Sequence, residues 1–191
     1  MSEPLPWRVL QSETLVDFSP WLRVIRQTVQ LPNGAVIPDY VLTPGRSYSL
    51  VVALTDDDQV LLVRQYKHGV GRPVFDFPAG YLTTPDEAPL TGARRELLEE
   101  TGYVAGRWTS LGAYVLDTNR ADTAAHLFLA EHLTLVAAPH LDETEALTTH
   151  PTPRAEIMPL LRNGGLPNIA CAAAWGLTLA HLAERAARSN S

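Results

Sequence analysis

The stretch "GYLTTPDEAPLTGARRELLEETGY", residues 80 to 103, packs Glu96, Glu99 and Glu100 into five consecutive positions shortly before Gly102. Residues three and four apart share a face of a helix, so Glu96 converges with both of the others. Carboxylates at that spacing repel one another by about a few tenths of a kcal/mol per pair unless cations neutralise them. Arg94 and Arg95 supply neighbouring positive charge, and Leu97 and Leu98 supply an apolar stripe to bury. Thr84 and Glu87 have capping-box spacing, but a helix starting there would carry Pro89 in its interior, where a proline loses a hydrogen bond and clashes with the preceding turn. The sequence therefore predicts a helix over about 89–101, led by Pro89 and closed by Gly102. An amphipathic helix with a solvated acidic face would account for all of this if the stretch stood alone.

The whole chain narrows the choice. Its 191 residues suit one domain with an appended segment, and 46% hydrophobic with 19% charged residues is the composition of a soluble globular protein. A formal charge of −6 and the lack of a dense Lys/Arg run argue against nucleic acid as a partner. Cys171 is the only cysteine, which excludes an intramolecular disulfide and a cysteine zinc site and fits a reducing cytoplasm. The N-terminal "MSEPLPWRVLQSE" has neither the basic start nor the apolar core of a signal peptide. The run "IACAAAWGLTLAHLA" is too short to span a bilayer, so no membrane partner is expected.

Read from the N-terminus, "WRVLQSETLVD", "WLRVIRQTVQL" and "AVIPDYVLT" are alternating or β-branched runs, the last two separated by the hairpin signal "PNG" at 32–34. They predict an N-terminal antiparallel segment over 1–45, ahead of a main domain over 46–191. Strands at 48–54 and 59–66 flank an acidic turn and read as a central hairpin, and "FDFPAGYL" as a short strand entering a loop. "WTSLGAYVLD" and "AAHLFLAEHL" are two further strands joined by "TNRADT". "AAPHLDETEALTTHPTPRAEIM" breaks into a loop, or a loop with one strand, before a closing helix over about 168–187 with Asn168 near its cap. Strands with one helix in the middle and one at the end describe an α+β sandwich around a mixed sheet, with an N-terminal antiparallel β extension.

Gly80, Glu87, Arg95, Glu96, Leu97, Glu99, Glu100, Gly102 and Tyr103 form an ordered series that closely resembles the signature of the Nudix hydrolases. That pattern is G, five residues, E, seven residues, then R, E, apolar, any, E, E, any, G, apolar. Here six residues separate Gly80 from Glu87, a one-residue insertion in "YLTTPD" that leaves every spacing from Glu87 onward intact. The resemblance implies an α/β/α sandwich, with Glu96, Glu99 and Glu100 as catalytic metal ligands joined by the backbone carbonyl of Ala79. It also implies that Glu87 and Arg95 pair to brace the loop against the helix. An all-oxygen donor set suits Mg²⁺, or Mn²⁺, bridging to substrate phosphates.

"LVRQYKHG", "FPAG" and the histidine-bearing "AAHLFLA" extend the likeness to the ADP-ribose pyrophosphatase branch, which cleaves nucleoside diphosphate sugars. The branch implies a homodimer formed through the N-terminal strands, with an aromatic residue carried onto the base; Trp21 matches that position. Lys67 and Arg120 are the expected phosphate or sugar contacts, and Thr118 stands where the branch often has the proline associated with ADP-ribose preference. The general base of this branch comes from a late acidic loop, here "HLDETEAL", with Glu145 the first choice and Glu143 the second. The expected reaction splits a diphosphate-linked nucleoside derivative into two monophosphates. The competing readings are a hydrolase of dinucleotides or NTPs, an isomerase using a reactive cysteine, and a non-catalytic ligand sensor.

Overall fold

The computed structural model describes residues 3–121, 123–141 and 146–189. The chain forms two compact units, one of residues 1–46 with 115–124 and the other of 47–114 with 125–191.

In the first unit, β1 (Arg8–Phe18), β2 (Leu22–Gln30) and β3 (Val36–Leu42) form an antiparallel sheet in that order. "PNG" makes the second turn as its residues require: Gly34 takes φ +87°, and the Asn33 side chain accepts from the Ala35 N–H at 3.1 Å. The connection around Asn119 and Arg120 packs on β3, where Arg120 Nη1 donates to the Val41 carbonyl at 3.0 Å and Tyr40 Oη donates to the Asn119 carbonyl at 2.6 Å.

In the second unit the elements are β4 (Tyr48–Leu54), β5 (Gln59–Lys67), β6 (Arg72–Asp76), β7 (Ala79–Tyr81), α1 (Pro89–Thr101), β8 (Tyr103–Val115), β9 (Ala124–Leu135), β10 (Leu147–Pro153), α2 (Arg154–Arg162) and α3 (Ile169–Ser189). The sheet runs β10-β5-β4-β9-β8, with β6 beside β5 and β7 beside β4. It is mixed, because β4 pairs parallel to β9 over six registered residues and antiparallel to its other neighbours.

The expected β4–β5 hairpin is paired only at its tip, Ala53 with Leu61 and Leu54 with Val60. Beyond that the strands part: Tyr48–Leu50 pair with β7, and Val63–Lys67 pair with β6. The parting lays Gly80 opposite Ser49, next to the strand that supports α1.

β4 and β5 read as unbroken apolar runs because both faces are covered. Leu50, Val52, Val60 and Leu62 pack with Leu127, Leu129, Ile157 and Trp175 toward α2 and α3. The alternate residues Val51, Ala53 and Leu61 pack with Phe128 and with Ala93 and Leu97 of α1. Period-two alternation thus puts α1 on one sheet face and α2 with α3 on the other. Burying each large side chain of these clusters stabilises the unit by about 1.5–3 kcal/mol.

α2 corrects the sequence reading, which left "PRAEIM" in a loop. Pro153 stands just before the helix and Pro159 lies inside it, so residues that read as breakers are accommodated at the start and within a continuous helix. Ile157, wholly buried against the sheet, supplies the tertiary contact that overrides the weak propensity. α3 starts one residue after Asn168, whose Oδ1 accepts from the Ala170 N–H at 3.0 Å as a helix cap does. Among the described residues, no helix is long and apolar enough to cross a membrane.

Candidate active site

α1 begins at Pro89 and ends at Gly102, which takes φ +77° and donates its N–H to the Leu98 carbonyl at 2.8 Å. A Cβ on Gly102 would also strike the Ala137 carbonyl, so both backbone conformation and space require glycine there. With Leu97 and Ala93 anchored in the sheet, the acidic side of the helix is drawn inward: Glu96 and Glu100 are 7% and 4% exposed. Glu99 is the open member, its side chain 41% exposed.

Gly80 lies opposite Glu96, and a Cβ there would collide with the Glu96 carboxylate. The glycine of the motif is therefore a matter of room for a ligand-type oxygen. One residue earlier, the Ala79 N–H donates to Glu100 Oε2 at 3.0 Å.

Arg95 ties the motif together. Its Nη1 donates to Glu96 Oε1 at 2.5 Å and to Glu99 Oε2 at 3.2 Å, its Nη2 donates to the Tyr81 carbonyl at 3.1 Å, and its Nε lies 3.5 Å from Glu87 Oε1. Burial works against this guanidinium, but the carboxylates of Glu96, Glu99 and Glu87 outweigh it and raise its pKa. Glu87 Oε2 in turn accepts from the Thr83 N–H at 2.6 Å and its hydroxyl at 3.0 Å. The Thr83 N–H is the main reason the Glu87 carboxyl is held below the usual range, with the Thr83 hydroxyl and Arg95 adding to it. The Glu87–Arg95 brace thus forms across the inserted residue, which is absorbed in the turn where the Glu87 N–H donates to the Thr84 carbonyl at 3.2 Å.

Two later segments are pinned to the end of α1: the His140 N–H donates to the Glu99 carbonyl at 2.8 Å, and the Thr149 hydroxyl donates to the Glu100 carbonyl at 3.1 Å. Neither residue was legible in the sequence, because a bond to a backbone carbonyl so distant along the chain leaves no periodic trace. Glu143 and Glu145 lie outside the described residues.

Lys67 ends β5, exposed and in register with Arg72. In the first unit Trp21 is 75% exposed, in the turn where its N–H donates to the Phe18 carbonyl at 2.8 Å, and it belongs to neither hydrophobic cluster. Cys171 is fully buried and its thiol donates to Asp76 Oδ1 at 2.8 Å. Burial, then the Asp76 charge, pushes the thiol pKa up, which is the opposite of what a reactive cysteine needs.

The charge balance bears on metal binding. Arg95 pairs with Glu87, Glu96 and Glu99 together, and Glu100 adds a fourth carboxylate on the Ala79 amide. An oxygen-only donor set with that excess of negative charge fits a hard divalent cation. As the side chains stand, no three histidine, cysteine or acidic residues among those described are gathered closely enough to ligate one ion, and Arg95 bridges Glu96 and Glu99 instead.

The NUDIX domain family matches residues 45–163, more than half of the chain and the whole motif with its supporting sheet. The chain belongs to the Nudix family. Ahead of the Nudix domain, residues 7–41 match the nucleoside diphosphate sugar hydrolase N-terminal domain. Over 121 residues the chain is 38% identical to a Bacillus subtilis protein named ADP-ribose pyrophosphatase, covering 62% of this chain and 64% of that one, just under two thirds of its length. It is 31% identical over 157 residues to a Streptomyces rubellomurinus CMP-5'-(N-acetyl-N-hydroxy-3-aminopropyl)phosphonate hydrolase, covering 81% of this chain and 73% of that one. A crystal structure of an ADP compounds hydrolase superposes with a TM-score of 0.85 over 97% of this chain and 98% of that one; at 24% identity this establishes a shared Nudix fold.

Proposed function

We propose that the protein hydrolyses the diphosphate bridge of a nucleoside diphosphate joined to a sugar, ADP-ribose or another NDP-sugar, releasing a nucleoside monophosphate and a sugar phosphate. The observation that carries this reading is Glu96, a buried carboxylate seated where Gly80 leaves room for it and flanked on the same helix by Glu99 and Glu100. A ligand sensor would have no use for so much repelling charge held out of water. The substrate class rests on the match of residues 7–41 to the N-terminal domain of nucleoside diphosphate sugar hydrolases. The cytidine-linked substrate in the name of the Streptomyces relative leaves the choice of base open to assay.

In this proposal Glu96, Glu99, Glu100 and the Ala79 carbonyl hold Mg²⁺, or Mn²⁺, which when bound supplies neutralisation of the phosphate charge. Arg95 bridges Glu96 and Glu99 and offsets their mutual repulsion, and it keeps β7 beside the helix through the Tyr81 carbonyl. Hydrolysis adds water across P–O–P: the water oxygen bonds to one phosphorus, the bridging oxygen leaves with the other, and a base takes the water proton. Glu145, with Glu143 as second choice, is the proposed base; the anchoring of His140 and Thr149 on α1 supports that assignment. Base catalysis of this kind contributes about 10²–10⁴-fold. Trp21 is proposed to stack on the base, and Lys67 and Arg120 to contact phosphate or sugar.

The same reading makes the protein a cytoplasmic homodimer joined through β1–β3. Trp7, Val9, Leu10, Leu15, Phe18 and Trp21 are exposed large hydrophobics on that segment, an apolar surface of the kind a second copy covers. The deciding experiment measures Mg²⁺-dependent release of monophosphates from ADP-ribose, other NDP-sugars, CMP-linked phosphonates, dinucleotides and NTPs. Preference for NTPs over every diphosphate sugar would overturn the substrate class, and metal-independent or absent turnover of all of them would overturn the enzymatic reading.

A further inference from the structure

The last turn of α1, Leu98 to Thr101, carries two of the proposed metal ligands and no basic residue. The negative end of a helix dipole disfavours carboxylates, so Glu99 and Glu100 stand where their charge works against the winding of their own helix. The last carbonyls of a helix also lack partners within it. Both effects promote fraying in the turn that has to present the ligands.

Three of those carbonyls are met, and two of them from outside the helix. Leu98 is taken by the Gly102 N–H at 2.8 Å, the helix's own cap. Glu99 is taken by the His140 N–H at 2.8 Å, and Glu100 by the Thr149 hydroxyl at 3.1 Å. Thr149 stands on β10 in register with the fully buried Val63 of β5, so its hydroxyl is carried by a paired strand of the sheet. At the other end of α1 the buried Ser49 hydroxyl donates to the Pro89 carbonyl at 2.7 Å, roughly 16 Å along the helix from Glu100. Between these points the helix rests on Ala93 and Leu97, whose apolar contacts are non-directional. The two hydroxyl bonds, by contrast, have a preferred length and angle and fix where the helix lies along the sheet. Of the two outside donors at the ligand end, Thr149 is the one whose donor is a side chain and can be removed by substitution.

We propose that Thr149 is a positioning residue for the metal site: by holding the Glu100 carbonyl it keeps the last turn of α1 wound in the metal-free protein, so that Glu99 and Glu100 meet the cation already in place. The inference rests on the metal-ligand role proposed above for those two carboxylates. Without the hydroxyl, part of the population carries a frayed turn, and the apparent affinity for metal falls with the fraction that stays wound. A hydrogen bond of this kind changes an equilibrium constant by about threefold to tenfold.

The test compares the full-length protein with Thr149→Val, which keeps the β-branched shape and loses the hydroxyl, and with Thr149→Ser, which restores it. Hydrogen exchange in the metal-free protein follows the Gly102 amide, with the Ala93 amide in the middle of the helix as control, and Mn²⁺ binding is titrated by the EPR signal of the free ion. In Thr149→Val the Gly102 amide should exchange about threefold to tenfold faster with Ala93 unchanged, and the Mn²⁺ midpoint should rise by a similar factor. Thr149→Ser should return both toward the parent. If Thr149→Val fails to fold, Thr149→Ala set against Thr149→Ser isolates the same hydroxyl. Unchanged exchange and midpoint in the folded variants overturn the proposal. Faster exchange with an unchanged Mn²⁺ midpoint also overturns it, since the hydroxyl would then serve the helix alone. A parent protein that binds no Mn²⁺ sinks the metal reading itself, whereas a binding parent with an indifferent Thr149→Val sinks only the role of Thr149.

Discussion

Arg95 donates to Glu96, its neighbour in sequence, at 2.5 Å, and the same nitrogen reaches Glu99 one helical turn on at 3.2 Å. The Arg95 guanidinium therefore offsets the repulsion between two carboxylates of the Nudix motif and holds them together in the folded chain. Removing charge from the cluster should harm chemistry more than folding.

Glu99→Gln and Glu100→Gln each keep an acceptor oxygen while losing a charge, and the amide of Glu100→Gln can still receive the Ala79 N–H. Turnover with Mg²⁺ should fall by at least about 10²-fold, with thermal stability unchanged or slightly raised by relief of repulsion. Steady-state kinetics beside a melting curve check both halves; near-normal activity in both variants would remove the metal assignment.

Gly80→Ala should separate room from charge. The added methyl meets the mobile end of Glu96, which can turn aside, so the variant should fold. The displaced carboxylate should lower turnover by about 10²-fold, the usual penalty for a small misplacement in a catalytic site. A folded Gly80→Ala with parental kinetics would show that Glu96 works from another position.

Asp76 gives a stability test away from the metal cluster. It is 8% exposed, and burial raises its carboxyl pKa above the ordinary 3.8, against the opposing pull of the Cys171 thiol, Lys67 and Asn168. The folded chain therefore holds a proton that the unfolded chain releases, and stability falls as pH rises from the ordinary carboxylate pKa toward the raised one. Urea unfolding across that acidic window should show the parent losing stability relative to Asp76→Asn as pH increases. Parallel curves would mean that Asp76 titrates normally.

Trp21→Ala should raise KM more than it lowers kcat, because stacking on a base remote from the reacting phosphorus is largely uniform binding. Identical KM values for every NDP-sugar would leave the exposed indole without a substrate role and point to the surface between copies instead.

Deleting residues 1–42 removes β1–β3 and should give an inactive or aggregating protein, monitored by light scattering and the monophosphate-release assay. A soluble, active monomer would reduce the segment to decoration.

Composition, the N-terminal hairpin at "PNG", the extent of α1 and the identity of the acidic motif were all legible in the sequence, because each is written in local periodicity, in turn and cap chemistry, or in fixed spacing along one helix. The start at Pro89 is an example: backbone sterics allow few alternatives once a proline is present. Other features depended on partners distant in sequence. α2 exists because Ile157 finds the sheet, against the local message of Pro153 and Pro159. The β4–β5 hairpin opens because β6, β7 and β9 compete for the same backbone groups, and a strand cannot announce which neighbour it will keep. The burial of Cys171 against Asp76, the seating of Glu96 opposite Gly80, and the anchoring of His140 and Thr149 on α1 were likewise decided only by tertiary packing. Local rules determine which elements form, whereas the space and hydrogen-bond partners left between elements determine what each side chain becomes.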